Sequence, residues 1–179
     1  MSHAWIPDLN FFQLLDAEDV RVAAVVKAAG CPDCGGRLDR ADYPRKPRGG
    51  DLGAAGEVFA RRRSLCCARD GCRHRRTPPS LVFLGRRVYL GIVVVCAAWR
   101  AAATATRSPP RRTVRRWCDW FVQIGEGTWW AMERGRLWPP IAPRENLPAA
   151  IIERLLAGRP IADALAATLR ILTAARAVR

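Results

Sequence analysis

Lysine is nearly missing from this 179-residue chain: only Lys27 and Lys46 occur, and arginine supplies the remaining positive side chains. Acids are scarce as well, 16 against 30 bases, for a net charge of +14 and a pI near 11.0. A GC-rich coding bias explains arginine in place of lysine, but it does not explain the excess of one sign. A field of that sign draws polyanions, of which nucleic acid is the commonest. Long hydrophobic runs are also lacking. The longest, VYLGIVVVCAAW at 88–99, stops at Arg100, and its twelve residues fall short of the roughly 20 that span a bilayer. Extending it would place Arg100 near mid-membrane at about 2.5–3.5 kcal/mol. A buried core helix and no membrane partner are expected. The beginning, MSHAWIPDLNFFQLL, has no basic region leading into an apolar run, so no secretory signal is read. A cytoplasmic, nucleoid-associated location follows, and structural disulfides are not expected.

Catalytic sets are missing too. His3 and His74 are the only histidines, and neither lies near Cys118 in sequence to make a Cys–His nucleophile. Past residue 105 the acids are Asp119, Glu126, Glu133, Glu145, Glu153 and Asp163. They fall in amphipathic helices or turns, with no strand setting to gather a carboxylate triad for two-metal phosphodiester chemistry. GGDLGAAG lacks the GK[ST] of a phosphate-cradling loop. The expectation is a protein that is not an enzyme.

Against these absences stand seven cysteines: Cys31, Cys34, Cys66, Cys67, Cys72, Cys96 and Cys118. A structural zinc site needs four soft ligands, usually as two pairs on two short turns. Cys31-Pro-Asp-Cys34-Gly is one such turn. The second pair comes from Cys66, Cys67, Cys72 and, in reserve, His74. Neighbouring residues of a strand point to opposite sides, so one of Cys66 and Cys67 faces the metal and the other does not. Cys67-x4-Cys72 is the tighter pairing, with Gly71 relaxing the turn, and Cys66 then packs on the far face as a small apolar residue. The reading is one structural Zn2+ per chain on Cys31, Cys34, Cys67 and Cys72. Reduced, buried thiols without a metal are the plainer account, but these cysteines flank turn residues rather than sit in apolar runs.

Half the residues are apolar, enough for a packed core. DLNFFQLL at 8–15 reads as a short helix. DAEDVRVAAVVKAAG reads as another, with Asp16 at the N-cap, Asp19 three residues in and Gly30 ending it. Residues 39–56 read as a long loop and 57–67 as a strand. A helix follows over 88–105, then one over 108–125 capped by Ser108, with Pro109 or Pro110 in its first turn and Gly125 at its end. Val114, Trp117, Cys118, Phe121 and Ile124 share one face of the latter. Asn146 is expected to cap LPAAIIERLLAG, and Pro160 to open a last helix with Ile161, Leu165, Leu169 and Leu172 in one stripe. The fold class is α+β and mostly helical: an N-terminal helical segment (1–30), a small zinc ribbon (31–84), helix-turn-helix-like helices (85–125) and a C-terminal helical segment (126–179).

Nine arginines and one acid, Asp70, lie between 61 and 87. Guanidinium forks suit phosphate. Arg61, Arg62, Arg63, Arg73, Arg75, Arg76, Arg86 and Arg87 are candidate nucleic-acid contacts. Arg111, Arg112, Arg115 and Arg116 join them on a helix with an apolar back, the layout of a helix laid in a groove. DNA is expected before RNA, although charge alone does not separate them. Tryptophan-rich TWWAMERGRLW supports a second reading, a protein-interaction adaptor for a partner enzyme.

CPDCGGRLDRADYPRKPRGG, followed by RRRSLCCARDGCRHRRTPPSLVFLGRRVYLG, resembles small bacterial zinc-ribbon proteins related to the ribbons of insertion-sequence transposases. The resemblance covers residues 28–91, about a third of the chain. It implies a ribbon followed by a helix-turn-helix, acting as a DNA-end or target-binding accessory or regulatory module. The passage from Ala105 to Arg111 is shorter here than in that group.

Overall fold

The computed structural model describes residues 7–45, 48, 61–84, 89–99, 109–142 and 145–174. Helix α1 runs unbroken over Leu9–Ala28, capped by Asp8, whose carboxylate accepts the Phe11 N–H at 2.9 Å. The expected restart at Asp16 does not occur. No proline or glycine interrupts 9–28, so propagation costs less than a new end, and Asp16 and Asp19 lie mid-helix with partners elsewhere in the fold. Gly30, at φ +74°, turns the chain out of the helix, a conformation glycine adopts without Cβ strain.

Next come five short strands: β1 (Leu38–Arg40), β2 (Tyr43–Pro44), β3 (Arg61–Arg62), β4 (Leu65–Cys67) and β5 (Arg75–Arg76). β1, β4 and β5 form one antiparallel sheet with β4 in the middle, and β2 pairs with β3. The loop expected over 39–56 is therefore strand at 39–40 and at Tyr43–Pro44, while 46–47 and 49–56 lie outside the described residues. The strand expected over 57–67 is two strands parted at Arg63 and Ser64; residues 57–60 lie outside the described set. The break is held by side chains, because the Ser64 N–H donates to Asp42 Oδ1 at 3.0 Å while the Ser64 carbonyl takes the Ala41 N–H at 2.8 Å.

The remaining described elements are helical: α2 (Gly91–Trp99), α3 (Arg111–Gly125), α4 (Thr128–Glu133) with a 3-10 turn over Arg134–Arg136, α5 (Ala149–Leu156) and α6 (Ile161–Ala174). The fold is α+β and mostly helical. Ser108 and the 100–105 end of the expected second helix lie outside the described residues. So does the passage that would make a helix-turn-helix of α2 and α3. α3 starts directly after Pro110, which has no side chain to cap it. Trp117, Phe121 and Ile124 are buried on its inner face and Val114 is half-buried, but Cys118 is exposed, one step too far round. Asn146 contributes only its carbonyl, to the Ala150 N–H at 2.9 Å, and Pro148 occupies the cap of α5 with no side-chain bond.

Two apolar clusters divide these elements. The large one gathers Phe11, Phe12 and Leu15 of α1 with Leu81–Leu84, α2, Trp117 and Phe121 of α3, Trp130, Ile141, Ile151 and the stripe Leu165–Leu169–Leu172 of α6; Ile161 packs against it half-buried. The small one is Cys31, Leu38, Leu65 and Cys67, with Val26 of α1, Cys34 and Cys72 at its margin. Residues 81–84, expected in the ribbon, thus belong to the helical body, and the N-terminal helix is part of both. One close approach inside the body packs α2 against Leu81 and α6. A Cβ on Gly91 would stand 2.5 Å from the Leu81 carbonyl oxygen and 3.0 Å from Leu169 Cδ2.

Candidate metal centre and basic surfaces

Each pair of ligand cysteines sits on a tight backbone turn. In the first, the Cys31 N–H donates to the Gly36 carbonyl and the Gly35 N–H to the Cys31 carbonyl, both at 2.8 Å, with Gly35 at φ +68°. In the second, Gly71 at φ +84° reverses the chain and the Cys72 N–H reaches the Arg69 carbonyl at 3.2 Å. Arg73 follows at φ +46°, a left-handed conformation that costs a non-glycine residue about 1–2 kcal/mol. The sheet brings the turns together: Leu38 pairs with Cys67, and the Cys67 N–H donates to the His74 carbonyl at 2.9 Å.

The result is four sulfurs, those of Cys31, Cys34, Cys67 and Cys72, all within 4.8 Å of one another. Cys31 and Cys72 are 3.8 Å apart, Cys34 and Cys67 3.5 Å. Those separations exceed a disulfide bond of about 2.05 Å. They match a tetrahedron with metal–sulfur bonds of about 2.3 Å, whose edges are about 3.8 Å. The backbone leaves the sulfurs room: a Cβ on Gly36 would stand 3.1 Å from Cys67 Sγ and 3.2 Å from Cys34 Sγ. This cluster can hold a metal ion.

Electrostatics inside the cluster favour a cation. Cys34 is lowered to about 7, first by the Gly36 N–H and then by the Cys67 thiol, both donating to its sulfur. Cys72 is pushed up to about 12: the His74 N–H lowers it, but the Cys34 sulfur, burial and Cys31 outweigh that bond. Cys67 is raised as well, because burial and Cys34 overcome the Arg69 N–H. One thiolate forms readily and the next ones must form against it; a divalent ion removes that repulsion.

Cys66 stands apart as expected. It is half-buried on the opposite face of β4, between Asp39 and Arg75, and its thiol donates to the Arg73 carbonyl at 3.4 Å. His74 is not a fifth donor. Its Nδ1 lies 2.8 Å from Asp33 Oδ2, so the two knuckles are clasped by a pair outside the sulfur shell. Asp33 also accepts from the Cys31 thiol at 3.8 Å. The sequence has no local signal for this clasp, since its halves lie on different turns.

The candidate nucleic-acid arginines divide sharply. Arg62 is withdrawn from the set: it is 2 % exposed, and its guanidinium donates to the Pro78 carbonyl. Arg63 is committed to Asp16 of α1, with both carboxylate oxygens 2.7 Å from Nη2. Arg61, Arg73, Arg75 and Arg76 are exposed around the second knuckle and β5, as is Arg69. Arg69 reaches over to the Cys34 carbonyl at 3.2 Å and Arg75 to the Ala41 carbonyl at 3.2 Å. Arg111, Arg112, Arg115 and Arg116 are all exposed on α3. Arg86 and Arg87 lie outside the described residues.

A polar seam that the sequence reading missed joins ribbon to body. Asp19 is 4 % exposed; it accepts the Leu81 N–H at 2.7 Å and the Ser80 hydroxyl, and Ser80 Oγ takes the Phe83 N–H at 3.1 Å. Burial pushes its carboxyl up to about 6, against the Ser80 and Leu81 bonds and the Arg62 charge, which lower it. No helix among the described residues is long and apolar enough to cross a membrane. Comparison with known proteins finds no family model, no curated protein and no solved structure that matches the chain.

Proposed function

We propose that the chain is a zinc-ribbon protein that binds nucleic acid, duplex DNA before RNA, as an accessory or regulatory factor without catalysis of its own. The observation that carries the reading is the four-sulfur cluster with exposed arginines set around its second knuckle. Four cysteine thiolates close the coordination shell of Zn2+ and leave no position for a reacting water, so the ion is structural. Its work is to hold Arg69, Arg73, Arg75 and Arg76 on a small scaffold that has little apolar core. Arg61 and the α3 arginines Arg111, Arg112, Arg115 and Arg116 extend the positive surface. The resemblance of residues 28–91 to transposase-associated ribbons agrees with such a role and rests on motif alone.

Metal analysis together with duplex titration tests this. Protein purified without added metal is expected to carry one equivalent of zinc, and to bind duplex with an affinity that falls steeply as salt rises, since each neutralised phosphate releases counterions. A protein without metal that folds unchanged in chelator ends the reading. A matched RNA duplex competing as well as DNA at fixed salt would move it to RNA. A second reading, an adaptor for a partner enzyme, is favoured by Trp138, which is 85 % exposed, while the buried Trp117 and Trp130 count against it.

A further inference from the structure

We propose that the two basic surfaces divide the labour on a duplex: the ribbon grips phosphates without regard to sequence, while α3 reads base edges with a preference for G·C pairs. The proposal rests on the duplex-binding reading above.

The decisive residue is Asp119. At 3.6 residues per turn, the solvent face of α3 places Asp119 in the middle, with Arg111 and Arg115 on one side and Arg112 and Arg116 on the other; all five are exposed. Among the described residues Asp119 is in no ion pair with these neighbours, nor are they with any acid. A carboxylate at the centre of a phosphate-gripping face opposes the ligand. Facing base edges it is useful, because a carboxylate accepts from cytosine N4 while arginine forks donate to guanine O6 and N7. Adenine is read by carboxamides, and the chain has four: Asn10, Gln13, Gln123 and Asn146. Of these only Gln123 lies on α3, exposed, one turn beyond Asp119. Arg112 to Gln123 spans about 17 Å of helix, the length of about five base pairs.

The ribbon is built differently. Its described residues, 31–45, 48 and 61–80, hold no carboxamide and, besides His74, one ring, the half-buried Tyr43. It therefore has no adenine-reading carboxamide among its described residues, and its exposed ring is the His74 imidazole, already paired with Asp33. Asp39 and Asp42 are neutralised by Arg37 and Arg40 at 3.1 and 2.7 Å and Asp33 is paired with His74, while Asp70, exposed on the turn of the second knuckle and off the β5 strand, is in no ion pair among the described residues. Arg75 is anchored on the Ala41 carbonyl, which leaves the rest of its fork for a phosphate, and Arg76 stands beside it on β5.

The test compares three metal-loaded proteins by selection from randomised duplexes and by titration across salt: the wild type, Asp119→Ala, and Arg75→Ala with Arg76→Ala. Metal content and circular dichroism confirm that each is folded. The wild type should enrich G·C-containing sites. Asp119→Ala should lose about tenfold discrimination at one base-pair position while holding or gaining affinity for unrelated duplex. The β5 pair should weaken all sequences alike and reduce the log–log salt slope by about 1.8, with base ranking intact. The proposal is overturned if Asp119→Ala strengthens every duplex by one factor with ranking unchanged, or if the β5 pair shifts the ranking. A wild-type protein that binds no duplex even at low salt overturns the duplex reading itself, a separate and recognisable result.

Discussion

The ribbon and the helical body solve the problem of staying folded by different means. The body encloses a large apolar cluster, with Leu84, Val94, Val95, Ile151, Leu165 and Leu172 all at 0 % exposure. Among its described residues the ribbon's apolar cluster is Leu38 and Leu65 besides the cysteines. Burying such a side chain gains about 1.5–3 kcal/mol, while each ordered residue costs about 1–2 kcal/mol of backbone entropy. Two leucines do not hold several dozen residues. Small modules of this kind need a staple, and the four sulfurs provide it. On the zinc reading proposed above, metal is a folding element in one region and irrelevant to packing in the other, with α1 fixed to both.

The largest expected effect breaks that comparison directly. Chelation, or Cys34→Ser, should abolish the ribbon's fold and leave the helical signal of the body mostly intact. Structural zinc in small modules is worth about 10–16 kcal/mol in apparent terms, far more than any single contact here. Residues 31–80 contain no tryptophan, so tryptophan fluorescence does not arise within the ribbon. A small fluorescence change beside complete loss of ribbon amide protection is the expected result; collapse of both signals together would show that the body does not stand alone. Thiols must ionise to bind, and with Cys72 and Cys67 raised metal affinity should already fall as pH drops towards 7, then more steeply below about 7, where Cys34 too must give up a proton.

A close approach inside the body comes second. Gly91→Val places side-chain atoms against the Leu81 carbonyl and Leu169, with 2.5 and 3.0 Å already too close for a Cβ. Overpacking of this order costs about 1–3 kcal/mol or more. The midpoint of the body's urea transition should drop accordingly, while zinc content stays at one equivalent. Loss of zinc in this variant would mean that the two regions unfold as one.

Much of the four-sulfur cluster was legible because knuckles are local: turn residues adjoin the cysteines, and strand alternation separates Cys66 from Cys67. The helical stripes were legible for the same reason, with Trp117, Phe121, Leu165 and Leu169 recurring at helical spacing. What failed was non-local. Asp16 and Asp19 looked like cap residues because acids favour helix starts, but their partners, Arg63, Ser80 and Leu81, lie 47 to 62 positions away. Arg62 looked solvated because most arginines are; only the fold turns it inward to Pro78. The exposed position of Cys118 turned on a single step around a helix, finer than a spacing rule resolves.

The smallest effect sharpens the comparison at Asp19, a buried acid of the helix that is fixed to both regions. Asp19 has its carboxyl raised from 3.8 to about 6, chiefly by burial. Between those values the native state holds a proton that the unfolded chain has released, so this group's contribution to stability rises as pH falls from 6 towards 4 and is lost as pH rises through 6. Above that the buried charge opposes folding, by up to about 3 kcal/mol for a shift of this size. Asp19→Asn keeps an acceptor for the Leu81 N–H and carries no charge at any pH. Relative to wild type, it should be more stable at pH 7.5 than at pH 5, as read by paired urea transitions of zinc-loaded protein. Comparing the two proteins at each pH cancels the common effect of acid on the thiolates. A difference independent of pH would mean that the Ser80 and Leu81 hydrogen bonds keep Asp19 ionised throughout, and that the joint between ribbon and body is held by charge as well as by packing.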